Sequence, residues 1–107
     1  MSRFHFDFRV PAHHPSLPGH FPGHPIVPGV LLLDHVLVAL EKATGRRASR
    51  LQQVKFTSAL RPDEQADALC EVDGGRASFR VTAQRNGATV TVASGSLSLQ
   101  TEEGPPA

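Results

Sequence analysis

Three kinds of side chain in this sequence could do chemistry. Four histidines, His13, His14, His20 and His24, fall between residues 11 and 28. An imidazole has an ordinary pKa of about 6.5, so it can take up or release a proton at physiological pH. One carboxylate, Asp34, interrupts the apolar run VLLLDHVLVAL. Burial of an unpaired carboxylate is costly unless it is put to use, and disfavouring its ionised form suits it to donating a proton. Without other context Asp34 could instead be a first-turn residue favoured by the helix dipole. Six cations, Lys42, Arg46, Arg47, Arg50, Lys55 and Arg61, lie between residues 42 and 61 with Glu41 beside them. Such a run is usually a solvated face, but it can also receive an acidic partner. The histidines lack the i, i+4 helix pair or companion cysteine that specifies zinc, so we expect no metal. His35 lies about 100° round a helix from Asp34, which points to packing or an interface.

These groups must be held by a small number of elements. Residues 3–10 alternate, with Phe4, Phe6, Phe8 and Val10 on one side and Arg3, His5, Asp7 and Arg9 on the other, as in a half-buried strand. Six prolines between residues 11 and 28 exclude a helix or interior strand and make a stiff loop. Pro28-Gly29 then opens a helix of about four turns that Thr44-Gly45 closes. Its apolar residues run almost all the way round, so it should be wrapped by other elements. Period-two patterns predict strands around Val54, Phe56 and Leu60, around Ala66 to Val72, around Phe79 to Ala83, and from Val90 to Leu99. Turn chemistry separates them at Arg61-Pro62-Asp63, Asp73-Gly74-Gly75 and Asn86-Gly87, the last a hairpin signal. The inward phase flips around Ser94-Gly95-Ser96, where a bulge or bend is expected. Residues 1–100 read as one domain and 101–107 as a disordered tail.

Composition removes several function classes. Eleven Lys and Arg against ten Asp and Glu leave a net charge of +1, which asks for neither a nucleic-acid backbone nor an anionic membrane. The longest apolar run, residues 36–40, falls far short of a membrane span, and we expect neither signal peptide nor anchor. Cys70 has no second thiol to pair with, so the cytosol is the expected compartment and Cys70 a core residue. A chain of 107 residues builds a small core, so a partner subunit covering an apolar face is expected.

The segment His20-Phe-Pro-Gly-His-Pro-Ile-Val-Pro-Gly-Val-Leu-Leu-Leu-Asp34 resembles the signature of the 3-hydroxyacyl-[acyl carrier protein] dehydratases, in which H-F-P-G-x-P-x-x-P-G-V-L runs into a central helix and a carboxylate follows. Fifteen consecutive residues are in register, and weaker likeness continues through Phe56 to Asp63 and the last strands. The resemblance implies an α+β hot-dog fold, a curved antiparallel sheet wrapped around one long buried helix. It also implies a dimer with active sites at the subunit interface, where the histidine of one chain, here His20, meets the helix carboxylate of the other, here Asp34. The implied reaction is cofactor-free, reversible loss of water from a 3-hydroxyacyl thioester to give the trans-2-enoyl thioester, in fatty-acid or specialised lipid biosynthesis.

The residues suit those implied roles. His20 can serve as base at the carbon beside the thioester carbonyl, and Asp34 can protonate the leaving hydroxyl. The helix-start amides of Gly29 and Val30 can receive the negative charge on the thioester oxygen. The basic residues Arg46, Arg47 and Arg50 could form a landing site for an acidic acyl carrier protein. The housekeeping members carry Glu at this position, whereas this chain shares Asp34 with the related branch that also isomerises the double bond, so isomerase activity stays open. The short front end looks more like the stand-alone dehydratases of polyene and other specialised pathways. A hot-dog thioesterase, and a non-catalytic thioester-binding subunit paired with an active homologue, are the competing readings.

Overall fold

The alternating stretches become strands and the continuous apolar stretch becomes the helix. The order is β1 (Ser2–Arg9), α1 (Gly29–Thr44), β2 (Ala48–Phe56), β3 (Gln65–Asp73), β4 (Arg76–Arg85) and β5 (Ala88–Leu99). This computed structural model describes residues 1–11 and 26–100. His13, His14, His20 and His24, and the expected tail 101–107, lie outside the described residues.

All five strands form one sheet in the order β1-β3-β4-β5-β2, and each neighbour is antiparallel. Its inner face is the apolar phase read from the sequence: Ala66, Ala68, Cys70 and Val72 from β3, and Ala77, Phe79, Val81 and Ala83 from β4. Phe4, Phe6 and Phe8 of β1 pack against that core, and Val10 is fully buried. Asn86 and Gly87 both take positive φ, 52° and 78°, which closes the β4–β5 hairpin with the right-handed twist of its strands. Burial pushes the Cys70 thiol up to about 11, as expected of a core cysteine.

The phase flip in β5 lies slightly upstream of its expected place. Val92 and Ala93 are both buried, and the ladder passes from Val81↔Ala93 directly to Thr82↔Thr91, which leaves Val92 as the extra residue of a bulge. Gly95 is already in the new phase, opposite Phe79 on one side and Val54 on the other. A Cβ there would stand 2.8 Å from the Phe79 ring and run into the Gln53 carbonyl oxygen. The glycine therefore marks a close approach of backbone and ring, and the bulge comes before it.

The sequence suggests a strand only from Val54 onward, whereas β2 begins at Ala48. As an edge strand it pairs with β5 alone and shifts register twice, so residues 49–53 are exposed and show no clean alternation. Phe56, expected inward, is 52% exposed.

α1 ends at Gly45, φ 71°, whose N–H donates to the Glu41 carbonyl at 2.8 Å. It lies on the inner face through Leu32, Val36 and Leu40, one residue per turn. Wrapping on all sides was expected, but within one chain the helix is covered on one side only. Val30 is 82% exposed and Val38 41% exposed. The reason is geometric, because a single sheet presents one inner face. Among the described residues no helix is long and apolar enough to cross a membrane. A helix laid on a curved antiparallel sheet with strand order 1-3-4-5-2 is the α+β hot-dog arrangement that the resemblance implied.

Gly95→Ala should destabilise the fold by about 1–3 kcal/mol through overpacking against Phe79 and the β2 backbone. Urea unfolding checks this: a midpoint equal to wild type would mean that the approach is looser than described.

Candidate active site

The start of α1 is the most chemically loaded place in the fold. The Pro28 carbonyl accepts from the Leu31 and Leu32 amides at 3.0 and 3.1 Å. The two preceding amides, Gly29 and Val30, meet no acceptor among the described residues. Among the described residues no side chain caps this end, and no acidic residue sits in the first turn. Among the described residues, two N–H groups and the positive end of the helix dipole are thus left for an oxyanion.

A groove of about 570 Å³ opens at the same point. One wall is Ile26, Val27, Val30 and Leu32, and the other is Phe56 with the following residues to Leu60. Its lining is mainly apolar, as an acyl chain would require. The ring of Phe56 lies so close to Gly29 that a Cβ on that glycine would come within 2.8 Å of it. Glycine at position 29 is thus fixed by packing as well as by access to its amide.

The second wall is pinned from several sides. The Thr57 and Ser58 amides donate to the Val92 carbonyl at 2.8 and 3.3 Å, and the Val27 amide donates to the Leu60 carbonyl at 2.7 Å. Beyond it, Arg85 forks onto Glu64, with Nε to Oε2 at 2.8 Å and Nη2 to Oε1 at 2.7 Å. The hydrogen bond from Arg85 holds the Glu64 carboxyl below its usual range, and Glu64 in turn raises Arg85.

Asp34 is exposed, which corrects the expectation of a carboxyl enclosed by its own helix. It lies two residues from both Leu32 and Val36, hence on the opposite side of α1, in a stripe with Val30 and Val38. Among the described residues it has no hydrogen bond or ion pair. It sits one turn along the axis from Val30, outside the groove lining. His20 falls outside the described residues, so the pairing of the two groups stays a reading of the motif. His35 stacks on Phe8, centroids 5.0 Å apart, in the packing role expected of it.

The three arginines proposed for docking follow the other end of α1, about 22 Å from Gly29 at 1.5 Å per residue. Arg46 is occupied, its Nε donating to the Gln100 carbonyl at 2.7 Å and its Nη1 to the Gly74 carbonyl at 2.8 Å. Arg47 and Arg50 are exposed. Among the described residues no group of three or more metal-ligating side chains occurs.

Residues 1–96 match the family described as ApeI-like, ApeI dehydratase. The chain belongs to the ApeI-like dehydratase family. It is also 37% identical over 67 residues to the 3-hydroxyacyl-[acyl-carrier-protein] dehydratase FabZ of Myxococcus xanthus. That match takes in 63% of this chain and 37% of the relative, so the chain spans little more than a third of that curated protein. Among solved structures, the dehydratase heterocomplex ApeI:P from Xenorhabdus doucetiae superposes with a TM-score of 0.76 at 24% identity, covering 91% of this chain and 86% of that one. An uncharacterised protein from Erwinia carotovora subsp. atroseptica gives 0.80 at 21% identity, covering 94% and 84%. A hexameric acyl-CoA thioesterase gives 0.67 at 15%, covering 98% and 73%. At these identities the structures show a shared hot-dog fold, one used by both dehydratases and thioesterases.

Two parts of this ApeI-like site were not legible in the sequence. Phe56 reads as an inward strand residue, yet it forms the mouth of the groove. The Glu64–Arg85 fork joins residues 21 apart in the chain, and no local pattern signals such a pair.

Gly29→Ala should lower stability by about 1–3 kcal/mol, and adding Phe56→Ala should recover part of that loss. Independent, additive costs in a double-mutant cycle would show that the two do not touch. Because Glu64 titrates below its ordinary value of 4.5, the fork's contribution is full above that pH and is lost as pH falls through the depressed value. The stability gap between wild type and Glu64→Gln should therefore narrow below about pH 4.5 in acid-unfolding curves.

Proposed function

We propose that this ApeI-like protein removes water from 3-hydroxyacyl thioesters presented by an acyl carrier protein, giving trans-2-enoyl thioesters. The observation that supports this most is the apolar groove ending on the open amides of Gly29 and Val30, in a chain with the full His20-to-Asp34 motif. His20 takes the proton from the carbon beside the thioester carbonyl, and the electron pair moves onto that carbonyl oxygen. The two amides hold the resulting negative charge. As the pair returns to form the carbon–carbon double bond, the C3–O bond breaks and Asp34 supplies the proton that lets the hydroxyl leave as water. Protons and electrons balance without a cofactor.

The exposed stripe Val30-Asp34-Val38 supports a second hot-dog subunit as the immediate partner. Covering it would desolvate Asp34 and bring the other subunit's histidine within reach. The partner is a second copy or, as in the ApeI:P heterocomplex, a related chain. The carrier protein, being acidic, docks on Arg47 and Arg50, while Arg46 is held by the Gln100 and Gly74 carbonyls. The lone, buried Cys70 is in keeping with a cytosolic setting.

Incubation with a 3-hydroxyacyl carrier protein should yield enoyl product and no free thiol, and release of thiol would instead identify a thioesterase. His20→Ala and Asp34→Asn should each lower turnover by about 10²-fold or more while the assembly keeps its size on a sizing column. If the chain turns over substrate only in complex with an active homologue, and that complex keeps its turnover in both variants, a non-catalytic thioester-binding subunit becomes the reading.

A further inference from the structure

The segment 57–64, between β2 and β3, makes the second wall of the groove and also ties down its surroundings. Its Leu60 carbonyl accepts from Val27, two residues ahead of α1, at 2.7 Å. Its Asp63 amide donates to the Val10 carbonyl at the end of β1, also at 2.7 Å. Val10, Val27 and Leu60 are all nearly or fully buried, so these bonds are shielded from water. One short segment therefore ties the end of β1 to the residues that lead into α1.

What shapes the segment is a side chain from elsewhere. The start of the wall is held by the Val92 carbonyl, and its far half turns at Asp63, whose φ of 64° is a left-handed conformation that aspartate tolerates in turns. Arg85, at the end of β4, bonds to both sides of that turn. Its Nη2 donates to the Ala59 carbonyl as well as to Glu64. Glu64 Oε1 in turn accepts from the Arg61 amide at 3.1 Å, and the Glu64 amide donates to the Arg61 carbonyl at 3.2 Å. The side chains of Arg85 and Glu64 are only 21% and 17% exposed, unlike an ordinary surface pair.

We infer that Arg85 and Glu64 are a positioning pair for the site, fixing the groove wall and the start of α1 without touching substrate; this rests on the dehydratase reading. The fork holds Ala59 and Glu64 at one spacing, the segment carries that spacing to Val27 through Leu60, and Val27 sets where the Gly29 and Val30 amides point. A shift of about 1 Å in oxyanion donors can cost on the order of 10²-fold in rate, so the pair should act on turnover more than on binding.

The test measures kcat and KM on a 3-hydroxyacyl carrier-protein thioester for wild type, Arg85→Met, Arg85→Lys and Glu64→Gln, alongside amide hydrogen exchange. Arg85→Met should lower kcat by about 10- to 100-fold with KM within about threefold. Arg85→Lys keeps the charge without the fork and should recover part of kcat, and Glu64→Gln should lie between wild type and Arg85→Met. In Arg85→Met the amides of Val27 and Asp63 should lose clearly more protection than those of the β4–β5 ladder, which should lose only what the drop in global stability accounts for. Wild-type kcat in Arg85→Met would overturn the inference, and so would a loss of protection spread evenly over the sheet, which would mark a purely structural pair. A wild-type protein that forms no enoyl product would instead overturn the dehydratase reading, and Val27 and Asp63 exchange would still report the clamp by itself.

Discussion

One sheet has one inner face, and α1 fills it with Leu32, Val36 and Leu40. The helix is apolar on its other side too, so the fold leaves Val30, Asp34 and Val38 facing outward. Among the described residues no further element lies over them. Burial of greasy surface, the main force behind folding, is thus only partly satisfied within one chain. The proposed need for a companion subunit and the proposed environment of Asp34 have this common origin.

The groove is assembled from pieces distant in sequence. Residues 26 and 27 arrive from one side, the first turn of α1 forms the end, and residues 56–60 form the opposite side. Antiparallel pairing makes this possible, because β5 lies between β4 and β2 and holds the start of the opposite wall through the Val92 carbonyl. The bulge at Val92 falls at the same spot, so the irregularity in the ladder and the attachment of the wall are one local feature.

Much of this was readable from the chain, and where reading failed the reasons are physical. β1, β3 and β4 have one wet and one dry face, and alternation reports them directly. Edge strand β2 is wet on nearly all sides from residue 49 to 53, which erases the signal. The helix was recognised, but its composition speaks for the assembled protein, so its exposed side could not be told from its buried one. The open amides of Gly29 and Val30 follow from Pro28-Gly29 at a helix start, since proline and glycine leave that end uncapped. Phe56 and the Glu64–Arg85 fork could not be found this way, because their roles depend on which loops meet.

Cys70 lies in β3 between β1 and β4 with no solvent exposure and its thiol driven well above neutrality. It is doubly protected, since a thiol reagent needs both access and the thiolate. Neither is offered until the inner face of the sheet is uncovered. The speed at which a maleimide consumes this lone sulfur is therefore a built-in gauge of how often the core opens, free of interference from any other cysteine in the chain.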